Sequence, residues 1–150
     1  MRTTRGVVVV AGAVLSGSLA APGFAPSAVP PKTQARATLT VGQVVPRPHG
    51  ASRGAGGSFS AAMAGRRITW KLTFRGLSGR ATRAQINLGR RGQRGTLAIL
   101  LCKPCSAQLS GVILNSPLKL RTAMVEGRAY VDVDTKRNPK GELRGQISKG

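Results

Sequence analysis

Two consecutive runs carry the strongest pattern in this chain: Gly127-Arg-Ala-Tyr-Val-Asp-Val-Asp-Thr135 and Asn138-Pro-Lys-Gly-Glu-Leu-Arg-Gly-Gln-Ile147. From 130 to 134, apolar and polar residues alternate, which is the period of a strand with one buried face. Residues 138–141 predict a turn, because proline fixes φ and glycine tolerates a positive φ. The two runs therefore predict a β-hairpin that closes a small all-β domain.

Further short strands are predicted upstream of this hairpin, at 37–45, 58–64, 68–75, 81–88 and 96–102. One short helix is predicted from Pro117 to Glu126, with Ser116 as its cap and Pro117 at its first position. Short strands with turn signals between them predict an all-β fold. We expect a single antiparallel β-sandwich or barrel-like domain, with at most one short helix near 117–126.

The first 25 residues have the organisation of a secretory signal peptide. Arg2 and Arg5 precede the apolar run 7–19, and small residues follow as far as Ala25. The run is too short for a spanning helix, and an uncleaved anchor is the alternative. Residues 26–35 predict a Pro-rich linker and residues 36–150 the β domain. We therefore expect a secreted or cell-envelope protein with no membrane span once the signal peptide is removed.

The net charge is +20, because 24 lysines and arginines face only 4 acids. Without Arg2 and Arg5 it is +18, and all four acids lie in the last 25 residues. A field of this sign attracts anionic polymers and surfaces over long distances, and added salt weakens it. The alternative is that arginine-rich usage reflects overall composition only. Nucleic acid is expected to bind only non-specifically, since few aromatic residues are available to stack on bases.

The closing hairpin resembles the end of the chordin-type (CHRD) domain family, where a G-x-x-Y-V-x-V-x-T-x-x-x-P-x-G-E-x-R-G-Q run is typical. Upstream, Ile68–Gly79 resembles the family's L-x-Y-x-L-x-x-x-G-L-S strand, and 97–102 with Ser110-Gly111 resembles its V-x-x-L-C and S-G stretch. Residues 37–46 resemble its opening strand. The resemblance covers roughly residues 36–148. It implies an extracellular β domain that interacts with proteins or matrix.

Cys102 and Cys105 are the two cysteines of the chain, in a Cys-Lys-Pro-Cys motif. Two cysteines in an exported protein usually pair, and this spacing permits bonding distance if the segment turns. Free thiols, a redox-active pair and metal ligands are the alternatives. A zinc site would need two further ligands, and the only histidine is His49. We therefore expect a structural disulfide.

A polar cluster is predicted on two strands. Gln85 and Asn87 share a face of one strand, and Asp132 and Asp134 share a face of the other. In the family that the chain resembles, the matching positions usually read H-I-H and N-V-H-T. The histidines expected at 85, 87 and 134 are thus replaced, and no metal or catalytic role is carried over. Two interpretations remain: carboxylates that bind a hard cation such as Ca²⁺, or a solvent-facing stripe that pairs with nearby basic residues.

These observations predict a binding module without a cofactor rather than an enzyme. A nucleophilic triad is not available, since His49 stands alone. The basic loops 47–57 and 89–94 offer a contact surface, formed by Arg47, Arg53, Arg90, Arg91 and Arg94. The expected partners are anionic envelope or extracellular polymers, or an extracellular protein. The alternative function is a metal-dependent or redox-active extracellular protein that uses the polar cluster or the Cys102/Cys105 pair.

Overall fold

The structure, a computed structural model, describes residues 32–150, so the predicted signal peptide lies outside the described residues. Within this part, eight strands and one α-helix follow along the chain: β1 (Thr33–Thr40), β2 (Gly56–Ala64), β3 (Arg67–Arg75), β4 (Ala81–Leu88), β5 (Thr96–Cys102), β6 (Gln108–Ile113), α1 (Leu118–Val125), β7 (Ala129–Thr135) and β8 (Leu143–Lys149). None of the helical segments in 32–150 is long and apolar enough to cross a membrane.

All eight strands belong to one sheet, in the order β5-β4-β7-β8-β1-β2-β3-β6. Every neighbouring pair is antiparallel. The sheet curves into a nearly closed barrel, which confirms the prediction of an all-β, barrel-like fold with one short helix. The closing hairpin, β7 and β8, lies in the middle of the strand order and pairs with β4 on one side and β1 on the other.

The inward faces of the strands meet in one apolar core. Strand β3 is the clearest example, because its alternate residues Ile68, Trp70, Leu72 and Phe74 are buried while those between them are exposed. Helix α1 adds its buried face, which consists of Leu120, Ala123 and Met124. Complete burial of a side chain of this size contributes about 1.5–3 kcal/mol, so the period-2 pattern is the main reason why these segments are strands.

The prediction that Ser116 caps the helix is wrong. Pro117 occupies the N-cap position, and no side chain caps the helix there. The Ser116 hydroxyl instead donates to the carbonyl of Arg66 (2.7 Å), as does its backbone N–H (2.9 Å). Ser116 therefore fastens the start of α1 to the β2–β3 turn, and the carbonyl of Arg66 satisfies its buried hydroxyl.

The first strand also ends earlier than predicted, at Thr40 instead of Val45. Residues Val41–Gln43 form a short 3₁₀ turn. The Gln43 side chain donates to the carbonyl of Thr38 (2.9 Å) and accepts from the backbone N–H of Gln146 (3.0 Å). It thus joins the 3₁₀ turn to both β1 and β8.

Strands β5 and β6 are the two ends of the sheet, and neither contains a charged residue. Large apolar side chains are exposed on both, including Leu97 and Leu100 on β5 and Val112 on β6. Cys102 and Cys105 form a disulfide with an S–S distance of 1.97 Å, so the predicted pairing is confirmed. The bonded segment is attached to the rest of the sheet by the Cys105 N–H, which donates to the carbonyl of Ala81 (3.2 Å).

Gly145 lies where β8 passes close to β1, and we expect Gly145→Ala to destabilise the domain by about 1–3 kcal/mol. A Cβ there would stand 2.8 Å from the carbonyl oxygen of Thr38 and 3.0 Å from its carbon. Gly42→Ala is the matched control, since nothing lies within 4 Å of a Cβ at that position. Urea unfolding followed by Trp70 fluorescence compares the two. Equal midpoints would mean that β1 and β8 do not approach each other this closely.

Candidate functional site

The polar face of β7 is buried, so the predictions of a half-buried strand and of a solvent-facing stripe are wrong. All seven residues of β7 are buried. Two segments cover the polar face. The loop 89–95 lies on one part of it, where the N–H of Gly95 donates to the hydroxyl of Tyr130 (2.8 Å). The turn 136–142 lies beside the other part, and its Pro139 carbonyl accepts from Arg83 (3.4 Å).

Asp132 forms a buried ion pair with Arg144, its direct neighbour across the β7–β8 hairpin. The guanidinium donates through Nε to Oδ1 (2.8 Å) and through Nη2 to Oδ2 (3.0 Å). It also lies over the ring of Tyr130, 4.0 Å from the centroid, and donates to the carbonyl of Gln93 (2.9 Å). All three nitrogens of the Arg144 guanidinium therefore donate hydrogen bonds within the protein.

Burial raises the pKa of Asp132 to about 6, although the hydrogen bonds and charge of Arg144 act in the opposite direction. Asp134 nearby adds to the increase, and Arg94 opposes it. The folded state therefore holds this proton more tightly than the unfolded chain. The resulting stabilisation is complete below the ordinary pKa of 3.8 and is lost as the pH rises through about 6.

Asp134 has a different arginine partner, Arg83 on β4, which was not predicted. Nε and Nη2 of Arg83 both approach Oδ2, at 2.7 and 2.6 Å. The other oxygen, Oδ1, is buried without a hydrogen-bond partner among the described residues. Burial raises the pKa of Asp134 above its ordinary value, and the hydrogen bond and charge of Arg83 oppose that increase.

The structure brings three of the four predicted cluster residues together. Gln85 stands directly across from Asp132 on β7, and Asn87 across from Tyr130. The Asn87 amide lies 3.4 Å from Oδ2 of Asp132. These side chains line a cavity of about 160 Å³, the polar cavity, whose wall includes Gln85, Asn87, Arg94, Asp132, Lys140 and Arg144. Asp134 turns toward Arg83 instead.

Both carboxylates of the predicted cation site are thus held by guanidinium groups. Among residues 32–150, no group of three or more His, Cys, Asp or Glu side chains could hold a metal ion. A hard cation at Asp132 would have to displace Arg144, and one at Asp134 would have to displace Arg83. The arrangement is that of two ion pairs, each joining neighbouring strands, beside a polar cavity.

A second buried carboxylate network was not predicted from the sequence. Glu142 is 0% exposed and has no cationic partner among residues 32–150. It accepts hydrogen bonds from the backbone N–H of Ser78 (2.5 Å) and from three side chains: Ser78 Oγ (2.6 Å), Thr135 Oγ1 (2.6 Å) and Asn138 Nδ2 (3.0 Å). Burial by itself raises the pKa of Glu142, but these bonds outweigh it and hold the pKa below its ordinary value.

Asn138 extends this network to the loop 44–50. Its side chain accepts from the N–H of His49 (2.8 Å) and donates to the His49 carbonyl (3.1 Å). Gln146 fixes the loop 89–95 in a similar way. Its side-chain amide nitrogen lies within 3.0 Å of the carbonyls of Gly89, Gly127 and Ala129. One feature of the sequence could have pointed to these residues: most of them lie inside the stretches that resemble the CHRD family.

The five arginines predicted as a contact surface are all exposed, but they face different parts of the surface. Arg94 lines the polar cavity, and Arg91 lines a groove together with Arg36. Arg53 lines a separate groove with Arg75. Arg47 and Arg90 are exposed on the loops 44–50 and 89–95.

We expect Glu142→Gln to lose about 2 kcal/mol or more of stability at neutral pH, since the buried charge is removed and one of its acceptor oxygens becomes an NH₂ group that faces other donors. Because the pKa of Glu142 is lowered in the folded state, its stabilisation is present above the unfolded pKa and is lost as the pH falls. The stability difference between wild type and variant should therefore narrow from about pH 6 to about pH 3. Chemical unfolding across this range measures it.

Glu126→Gln is the matched control for that experiment. Glu126 is exposed and pairs only with Arg128, so the expected loss is below about 1 kcal/mol. A stability difference for Glu142→Gln that stays constant with pH would contradict the charged state of Glu142.

We expect Arg144→Met to lose about 3–5 kcal/mol at neutral pH, because it leaves the Asp132 carboxylate buried without a cation. The loss should shrink toward about pH 5, since a protonated Asp132 needs no cation. The double variant Arg144→Met/Asp132→Leu should recover part of it. Arg128→Met, which removes a half-exposed arginine, is the control. An equal loss in the two single variants, measured by thermal unfolding, would contradict the buried ion pair.

A family model described as CHRD domain matches residues 35–147. No curated protein and no solved structure matches the chain. The matched range contains both ion pairs, the Glu142 network and the polar cavity. Because the family model covers well over half of the sequence, the chain belongs to the CHRD domain family.

Proposed function

We propose that this protein is a secreted, non-catalytic binding module, and that its cationic surface contacts anionic polysaccharide of the cell envelope or the extracellular matrix. One observation carries the proposal. Three of the four acids, Asp132, Asp134 and Glu142, are buried, with exposures of 3%, 1% and 0%. The fourth, Glu126, is exposed beside Arg128. Nearly all acidic side chains are thus withdrawn from the surface.

The consequence is an exposed surface that is more positive than the composition indicates. Within residues 32–150, eighteen lysines and arginines are exposed, and one exposed glutamate is available to neutralise them. Charges of one sign add up over the surface and attract a polyanion, and at physiological salt this attraction acts mainly within the Debye length of about 8 Å. Surface ion pairs that would reduce this attraction are scarce.

Part of this charge is held around the closing hairpin. Asn138 ties the loop 44–50 to the β7–β8 turn, and Gln146 ties the loop 89–95 to the start of β7. The exposed basic residues on these three segments are Arg47, Arg90, Arg91, Arg94, Lys136, Arg137 and Lys140. Side chains on anchored loops lose less freedom when a ligand binds, which favours binding.

The non-catalytic part of the proposal rests on the state of the reactive groups. Asp132 and Asp134 each have an arginine partner, and Glu142 accepts four hydrogen bonds inside the domain. Cys102 and Cys105 are joined in a disulfide. His49 is the only histidine of the chain, and it lies on an exposed loop. Export is proposed from the signal-peptide pattern of residues 1–25.

The test is binding of the purified protein to immobilised polygalacturonate and to neutral dextran across a salt series. We expect saturable binding to the acidic polymer that persists near 0.15 M salt, and none to dextran. Binding that disappears before the salt concentration reaches about 0.15 M would contradict the proposal. Equal binding to every polyanion, including DNA, would contradict it as well. Protein partners would then be the remaining candidates.

A matched pair of five-residue variants locates the contact. One variant replaces the loop arginines by serine: Arg47, Arg53, Arg90, Arg91 and Arg94. The control replaces five other exposed basic residues by serine: Arg66, Arg67, Lys71, Lys103 and Lys119. Both remove the same charge, so we expect the loop variant to lose at least about tenfold more affinity than the control. Equal losses would contradict the loop assignment.

A further inference from the structure

We infer that the polar cavity is a subsite for one acidic sugar unit. The acid group of the sugar would lie at Arg94 and Lys140, and its hydroxyls would contact Gln85 and Asp132. This inference rests on the proposed function, because it names the unit of the polymer that the domain recognises. It goes further in assigning a built site, distinct from the general attraction of the surface.

The rim of the cavity supplies two cationic side chains that form no ion pair in the described part of the chain. Arg94 and Lys140 are exposed side chains on its wall. Neither makes a side-chain hydrogen bond or an ion pair within residues 32–150. Arg83 and Arg144, the other two basic residues of the wall, are already paired with Asp134 and Asp132. The two unpaired cations can therefore bind a carboxylate or sulfate.

The floor of the cavity differs from a simple anion site. It presents the Asp132 carboxylate and the side-chain amides of Gln85 and Asn87. Gln85 makes no side-chain hydrogen bond in the described part of the chain, so its amide remains available. A carboxylate repels a bare anion but accepts from a hydroxyl, and an amide both donates and accepts. An acid group beside several hydroxyls matches these groups, and that combination is an acidic sugar.

The size of the cavity limits the ligand to one unit. Its volume is about 160 Å³. Sites for drug-sized ligands measure about 300–1,000 Å³. The cavity therefore admits a single sugar ring with its acid group, and the rest of a polymer would lie outside, against the exposed basic loops.

The experiment follows ¹⁵N–¹H spectra of the full chain during titration with galacturonate, galactose 6-sulfate, galactose or acetate. We expect the side-chain amides of Gln85 and Asn87 to shift with an acidic sugar and not with galactose or acetate. The carboxylate and sulfate sugars show which acid group is preferred. Arg94→Ser/Lys140→Ser should weaken binding of the acidic sugar roughly tenfold or more.

Two further variants separate a built site from general attraction. Arg66→Ser/Lys119→Ser removes the same charge from exposed positions outside the cavity and should stay within about twofold of wild type. Gln85→Leu keeps the charge and should bring the affinity for galacturonate down to that for acetate. Equal effects of the two double variants, or equal shifts with galactose, would overturn the subsite.

The outcomes distinguish the subsite from the proposed function. Polymer binding that persists while no small sugar shifts Gln85 or Asn87 overturns the subsite and leaves the proposed function standing. Shifts with the acidic sugars together with no polymer binding at physiological salt support the subsite and contradict the proposed function. Neither shifts nor polymer binding contradicts both.

Discussion

A charged carboxylate inside a protein must be satisfied by hydrogen bonds, and Glu142 meets this demand by joining separate parts of the chain. Its partners are Ser78 between β3 and β4, Thr135 at the end of β7, and Asn138 in the hairpin turn. Asn138 also reaches the loop 44–50 through His49. One side chain thereby positions the hairpin, a strand connection and a long loop, and the elements around the polar cavity depend on it.

The burial of three acidic side chains affects both the stability of the fold and the charge of the surface. Each buried acid holds parts of the fold together. Glu142 organises the turn, Asp132 pairs with Arg144, and Asp134 pairs with Arg83. The ion pairs hold two arginines at the cavity without adding net charge there. The remaining basic residues face solvent almost without counter-charges. The same placement that satisfies the interior therefore produces an exterior that favours polyanions.

The strands were predictable because burial of one face imposes a period of two, and β3 follows it without exception. The burial of Asp132 was not predictable from that period, since alternation separates two faces but does not reveal whether a loop covers the polar one. The pairing of Asp134 with Arg83 depends on two strands that are 51 residues apart in sequence. The polar cavity likewise needs the path of the loop 89–95, which sequence patterns do not provide.

The uncovered ends of the sheet, β5 and β6, affect how molecules of this protein behave toward one another. A lysine or another charge is one of the devices by which natural edge strands avoid edge-to-edge pairing, and these two strands carry none. Mutual repulsion between strongly cationic molecules takes over that protective role. A polyanion that neutralises the charge removes the protection. The positive charge that favours polyanion binding is therefore also what keeps copies of the free protein apart.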